Sequence, residues 1–192
     1  MMPLTLEMKS ADLRLNDAEF YRLCQANRDL KLELSAEGNL IIMPPTGWET
    51  GQRNSSLNRI VGNWAEEDGT GIIFDSSTGF KLPNGATRSP DVSWVLKTRI
   101  EAIEPDPDKF LPLCPDLAIE LRSTNDNLSD AQDKMQEYFD NGLKLGWLID
   151  PKRREVEIYR DKRSVEIVDF STALSGEAVL PNFTFDLTKV FS

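Results

Sequence analysis

Histidine is absent from this chain of 192 residues, which removes the usual general base near neutral pH and the commonest ligand of transition metals. Ser-His-Asp and Cys-His catalysis are thereby excluded. Cysteine is nearly as scarce: Cys24 and Cys114 stand far apart, lack the C-x-x-C spacing of a zinc or redox site, and read as buried free thiols. No run of about 18 apolar residues occurs to span a bilayer, and Met1 to Ser10 lacks the apolar core of a signal peptide. The expectation is a soluble, cytoplasmic protein with no membrane partner. Positive charge is in deficit, with 22 Lys and Arg against 32 Asp and Glu, for a formal net charge of -10. Such a balance repels nucleic acid at long range. Screening beyond about 8 Å at physiological ionic strength still leaves room for a local basic patch.

What is present suits one globular domain over residues 1–192, since 40% apolar content at this length builds a substantial core. Asn16, with Glu19 three residues later and Leu15 beside Phe20, signals a helix from about Asp17 to Ala26. Leu30 to Leu34 and Leu40 to Met43 read as a hairpin closed by Pro44-Pro45, followed by a helix between Glu49 and about Glu67 through Leu57, Ile60, Val61 and Trp64. Strands around Ile72-Ile73-Phe74, Gly79 to Leu82 and Asp91 to Val95 read as a meander. Asp116 to Arg122 is a strand, and the helix after it is expected to start with Ser129 as N-cap and Gln132 completing a capping box, and to stop at Asn141-Gly142. Leu145 to Ile149 is a buried strand; Glu155 to Arg160 and Val165 to Phe170 form a further hairpin whose edge is open to pairing with another chain.

Without histidine, acid-base and metal chemistry falls to Asp, Glu, Lys and Tyr, and carboxylate oxygens select hard cations such as Mg2+ or Mn2+. One set of such residues is coherent: Asp91 after Ser89-Pro90, Glu120 in a strand, and Lys134 with Tyr138 on the next helix. Strand alternation sets Leu117, Ile119 and Leu121 toward a core and leaves Glu120 with Arg122 on the other face. Helical spacing turns Lys134 toward the apolar stripe of Ala131, Met135, Tyr138 and Phe139, where a lysine needs an anionic partner. Two carboxylates about 4 Å apart repel by roughly 4 kcal/mol at an effective dielectric near 20, and one lysine does not neutralise them. A divalent cation on Asp91 and Glu120 does. The bland readings are an i, i+4 pair of Lys134 with Asp130 and an ion pair of Glu120 with Arg122. Basic candidates for phosphate contact are Arg88, Lys97, Arg99 and Arg122; the group Lys152, Arg153, Arg154, Arg160, Lys162 and Arg163 reads better as a solvated turn.

Several segments together are similar to the Uma-two family, described as putative restriction endonucleases, within the PD-(D/E)xK nuclease superfamily. They are Met43-Pro44-Pro45-Thr46-Gly47-Trp48-Glu49, Arg88-Ser89-Pro90-Asp91-Val92-Ser93, Pro115 to Ser123, Lys134 with Tyr138, and Gly146-Trp147-Leu148-Ile149-Asp150-Pro151. The resemblance implies a restriction-endonuclease-like α/β (α+β) fold, a mixed central sheet flanked by helices, with additional hairpins. It implies a Mg2+-dependent (or Mn2+-dependent) endonuclease acting on nucleic acid, DNA foremost; a homodimer is a separate expectation, tied to the open hairpin edge and to the binding-module reading below. Asp91 and Glu120 become the metal carboxylates, Glu49 a supporting acid of the first core helix, and Tyr138 a supporting residue. Much of the superfamily has a lysine two residues after the second acid; Arg122 stands there instead, and a guanidinium is no general base. Lys134 is then the functional equivalent and Arg122 a phosphate ligand.

Two competing readings stand beside it. A catalytically weak or inactive nuclease fold used as a binding or regulatory module fits the acidic charge. Hydrolysis of a glycoside by a carboxylate pair needs acids about 5 to 10 Å apart and no Lys134; Trp48, Trp64, Trp94 and Trp147 would be its platforms but fit core positions at least as well.

Overall fold

Asn16 accepts a hydrogen bond from the Glu19 N–H and Glu19 returns one to the Asn16 N–H, so the capping box forms and starts the helix Asp17–Ala26. The structure, a computed structural model, describes residues 3–123, 126–161 and 163–191. Its elements in chain order are β1 (Leu4–Leu6), α1 (Asp17–Ala26), β2 (Lys31–Leu34), β3 (Leu40–Met43), α2 (Trp48–Asp68), β4 (Gly71–Asp75), β5 (Phe80–Lys81), β6 (Thr87–Arg88), β7 (Val92–Leu96) and α3 (Lys97–Glu101). Then follow β8 (Leu117–Leu121), α4 (Leu128–Asp140), β9 (Leu145–Asp150), β10 (Glu155–Arg160), β11 (Glu166–Asp169), β12 (Leu174–Ser175) and β13 (Thr184–Phe185). Among the described residues no helix is long and apolar enough to cross a membrane.

Six strands make the main sheet in the order β11-β10-β9-β8-β7-β4. Its neighbours are antiparallel except β8 and β9, which run parallel. A parallel pair requires a crossover, and α4 supplies it across one face of the sheet. The other face is covered by α2, whose Leu57, Val61 and Ala65 pack with Leu117, Ile119 and Leu121 of β8. On the α4 side Ala118 packs with Met135 and Tyr138. All the side chains of β9 are buried, as a strand sandwiched between helical layers demands. Each such Leu or Ile contributes about 1.5–3 kcal/mol.

A second sheet, β1-β3-β2-β6-β5, lies beside the first. Its presence corrects the expected meander: β4 pairs directly with β7, while β5 and β6 join β2 through the single pairing Leu34↔Thr87. The cause is local, because the Pro83-Asn84-Gly85 turn closes a hairpin with strands of two residues, and Gly85 takes the left-handed conformation at φ 94. Leu32 and Leu34 of β2 pack with Phe20 of α1. Their neighbours Lys31 and Glu33 point the opposite way.

Two further expectations are corrected. Asn127, not Ser129, caps α4, with its Oδ1 accepting from the Ser129 N–H at 3.3 Å; Asn is as good a cap as Ser, and Gln132 is drawn away to Glu157 at 2.7 Å. Trp48 is 85% exposed instead of core, since it precedes Leu57 by about two and a half turns and so faces away from the apolar stripe of α2.

Candidate functional site

The site lies at the end of the β7–β8 ladder, beside α4. The β7–β8 pairing ends at Val92 opposite Ile119, which leaves Asp91 beside the last residues of β8, Glu120 and Leu121. Asp91 Oδ2 accepts the backbone N–H of Leu121 at 2.9 Å, which pins that carboxylate to the end of β8. From α4, Lys134 Nζ reaches Glu120 Oε1 at 2.9 Å and the Tyr138 hydroxyl donates to the same oxygen at 2.9 Å. The structure thus brings Asp91, Glu120, Lys134 and Tyr138 together. Asp91 Oδ1 and Glu120 Oε2 make no hydrogen bond among the described residues; the nearest cation to Asp91 Oδ1 is Lys31 at 4.0 Å.

Glu33 is the member that sequence reasoning missed. It is 1% exposed and sits at the centre of the polar cluster. Its Oε1 accepts from Lys134 Nζ at 3.0 Å and from the Ser89 N–H at 3.0 Å, and its Oε2 pairs with Arg88 at 3.2 Å. Arg88 in turn bonds Glu137 at 2.5 Å. The signal in the sequence was the alternation Lys31-Leu32-Glu33-Leu34, which puts an acid on the polar face of a strand. Which element that face meets is a matter of tertiary structure.

Burial and neighbouring charge set the protonation of these groups in opposite directions. Burial alone pushes Glu33 up, but the charges of Lys134, Arg88 and Lys31 and the Lys134 hydrogen bond outweigh it and pull the carboxyl down to about 2. Glu120 is held above its ordinary value by burial first, with Asp91 and Glu33 adding to the shift against Lys134 and Lys31. Burial works to lower Lys134, yet Glu120 and Glu33 overcome it and raise it, so the amine is an ammonium at neutral pH. Tyr138 is pushed far up by burial and by Glu120 and remains a neutral donor.

The other predicted residues are placed differently. Arg122 gives its N–H groups to Asp150 at 2.5 Å and to the Asp126 carbonyl at 2.9 and 3.1 Å. Glu49 accepts from Arg53 at 2.8 Å on its own helix, with 56% of its side chain exposed, and makes no bond to the cluster. Lys97 donates to the Gly69 carbonyl and Arg99 pairs with Asp116, both beyond the far end of β7 from Asp91. Arg153 pairs with Glu155 and Glu157, Arg160 with Glu166 and Glu177, and Arg154 lies over the Phe170 ring; Lys162 lies outside the described residues.

A groove of about 840 Å³ opens over Glu120 and Lys134 between the second sheet and α4, reaching Arg88, Arg122, Met43 and Leu148. Among the described residues no group of three or more His, Cys, Asp and Glu is arranged to hold a metal ion by itself. Two carboxylates with water and ligand oxygens are the usual protein contribution to a Mg2+ site. Asp91 and Glu120, each with one oxygen that no hydrogen bond occupies, fit that pattern; Glu33, filled by three donors, does not.

The sequence pattern of the Uma2 family, described as "Putative restriction endonuclease", matches residues 17–188. Among solved structures, "a putative nuclease belonging to DUF820" from Anabaena variabilis superposes with a TM-score of 0.78 over 92% of this chain and 97% of that one, at 18% identity. At that identity the likeness is one of fold, and it is a nuclease-like fold. No curated protein matches.

Proposed function

We propose that this chain, which belongs to the Uma2 family, is a divalent-metal-dependent endonuclease that hydrolyses phosphodiester bonds of DNA at Asp91, Glu120 and Lys134. The observation that carries the reading is the convergence of two carboxylates, Glu120 on β8 and Asp91 held to the N–H of the next residue, Leu121, with an ammonium 2.9 Å from Glu120. Asp91 and Glu120 would hold Mg2+ or Mn2+, which supplies charge stabilisation at a phosphoryl oxygen and a more acidic bound water. The raised position of Glu120 supports this, since a carboxylate strained by burial and by neighbouring anions gains most from a cation.

Lys134 is placed to orient and stabilise. Its amine stays protonated between Glu33 and Glu120, so it acts as a fixed donor to charge developing on the phosphorane and leaves proton abstraction to another group. Tyr138 holds Glu120 in orientation through its hydroxyl. Arg122, tied to Asp150 and Asp126, braces the chain after β8. One such site per chain cuts one strand, so cleavage of both strands of a duplex is proposed to use two copies.

Calorimetric titration of Mg2+ and Mn2+ tests the metal site directly. Binding that weakens at least tenfold in Asp91→Asn and Glu120→Gln is the expected result; equal binding in all three proteins contradicts it. The second reading, a binding module with little activity, has its own support in the groove's acidic lining of Glu37, Asp126, Asp130, Asp133, Glu137 and Asp140. Metal binding lost in neither variant would favour that module.

A further inference from the structure

We propose that Lys31 takes hold of a substrate phosphate at this site, an inference that rests on the nuclease reading above. The site's cations differ sharply in what they have left to give. Arg88 is spent on Glu33 and Glu137 and Arg122 on Asp150 and Asp126, while Lys134 gives two of its three donors to Glu33 and Glu120 and keeps one for the reacting phosphoryl group. A basic residue with its donors committed inside the protein has little with which to grip a ligand.

Lys31 is the contrast. It opens β2, two residues before Glu33, and so shares the face of Glu33 while Leu32 and Leu34 turn into the core with Phe20. It makes no hydrogen bond among the described residues; its ion pair with Asp91 Oδ1 is loose at 4.0 Å, and 29% of its side chain is exposed. Its charge acts on both Glu33 and Glu120, so the amine stands among the site's three acids. An ammonium carries three donors on a flexible stem and binds phosphate as a point charge. A divalent cation held by Asp91 and Glu120 would weaken the attraction that draws Lys31 over Asp91 and leave the ammonium to an anionic ligand.

The test reads binding, not turnover: fluorescence anisotropy of a short fluorescein-labelled DNA duplex, with Ca2+ in place of Mg2+, at a series of salt concentrations. Each phosphate contact contributes about 0.9 to the slope of log affinity against log salt. Lys31→Gln and Lys31→Met are expected to lower the slope by about 0.9 and to weaken binding roughly tenfold near 0.1 M salt, while Lys31→Arg retains the slope. Lys97→Gln removes the same charge about 20 Å away, beyond the other end of β7, and is expected to leave the slope unchanged. A wild-type slope in both Lys31→Gln and Lys31→Met overturns the inference alone. Failure of the wild-type protein to bind the duplex overturns the nucleic-acid reading on which it rests.

Discussion

Glu33 and Lys134, 101 residues apart in the chain, meet in a hydrogen-bonded ion pair of 3.0 Å. The pair joins the second sheet to the helix that crosses over the main sheet. Three donors from two parts of the chain converge on Glu33, while the other ion pair of Lys134 is with Glu120. Glu33 is thus a fixed anion that aims the lysine, and Glu120 is left as the less satisfied partner.

Removing Glu33 is expected to be costly. Glu33→Gln leaves Lys134 and Arg88 buried with one anion fewer, and breaking a buried pair costs about 3–5 kcal/mol. Urea denaturation of the variant checks this, and a change below about 1 kcal/mol would show that the pair does not hold the two layers together.

The same residue predicts the acid limb of stability. A carboxyl at about 2 in the folded protein against 4.5 as its ordinary value gives stability that is full above about 4.5 and is lost as pH falls toward 2. The whole effect is about 3 kcal/mol. Denaturation midpoints measured across this range should fall steeply in the wild-type protein and less steeply in Glu33→Gln.

Glu120 carries the opposite sign. Folding raises it, through burial and then through Asp91 and Glu33, so its ionised form reduces stability above its folded value and stability recovers as the pH falls through that value. Because the ionised form of Glu120 is disfavoured by burial and by its neighbouring anions, metal-free Glu120→Gln is expected to melt at or above the wild-type temperature at neutral pH. Added Mg2+ should raise the wild-type melting temperature and leave that of the variant unchanged. Thermal scans with and without metal read both effects.

Gly146 links the core to the site. A Cβ there would lie 2.4 Å from Met135 Cε and 2.8 Å from Leu143 Cδ2, against the helix that carries Lys134. Gly146→Ala is expected to destabilise by about 1 kcal/mol, read by urea denaturation, since the ends of the Met135 and Leu143 side chains must repack to admit the methyl group.

The elements of this fold were legible where a local rule decides them. The Asn16-Glu19 box starts α1 as its spacing requires, and the alternation of Leu117 to Leu121 separates the α2 side from the α4 side. The phase of Lys134 turns it inward, where its partners are Glu120 and Glu33 instead of Asp130 one turn before it. Tertiary choices were not legible. The departure of β5 and β6 into a second sheet rests on one bridge between Leu34 and Thr87, and the role of Glu33 rests on where that sheet is laid against α4. Arg122 illustrates the limit from the other side: its position suggested a ligand, and Asp150, distant in sequence, took its charge.

The central claim is that Asp91, Glu120 and Lys134 form a metal-dependent phosphodiesterase site. Nicking of supercoiled plasmid by purified protein in Mg2+ or Mn2+ tests it most directly. Cleavage by the wild-type protein that EDTA abolishes, and that falls at least a hundredfold in Asp91→Ala, Glu120→Ala and Lys134→Ala proteins, is the predicted result. Nicking that persists in all three variants, or none by the wild-type protein in either metal, would contradict it.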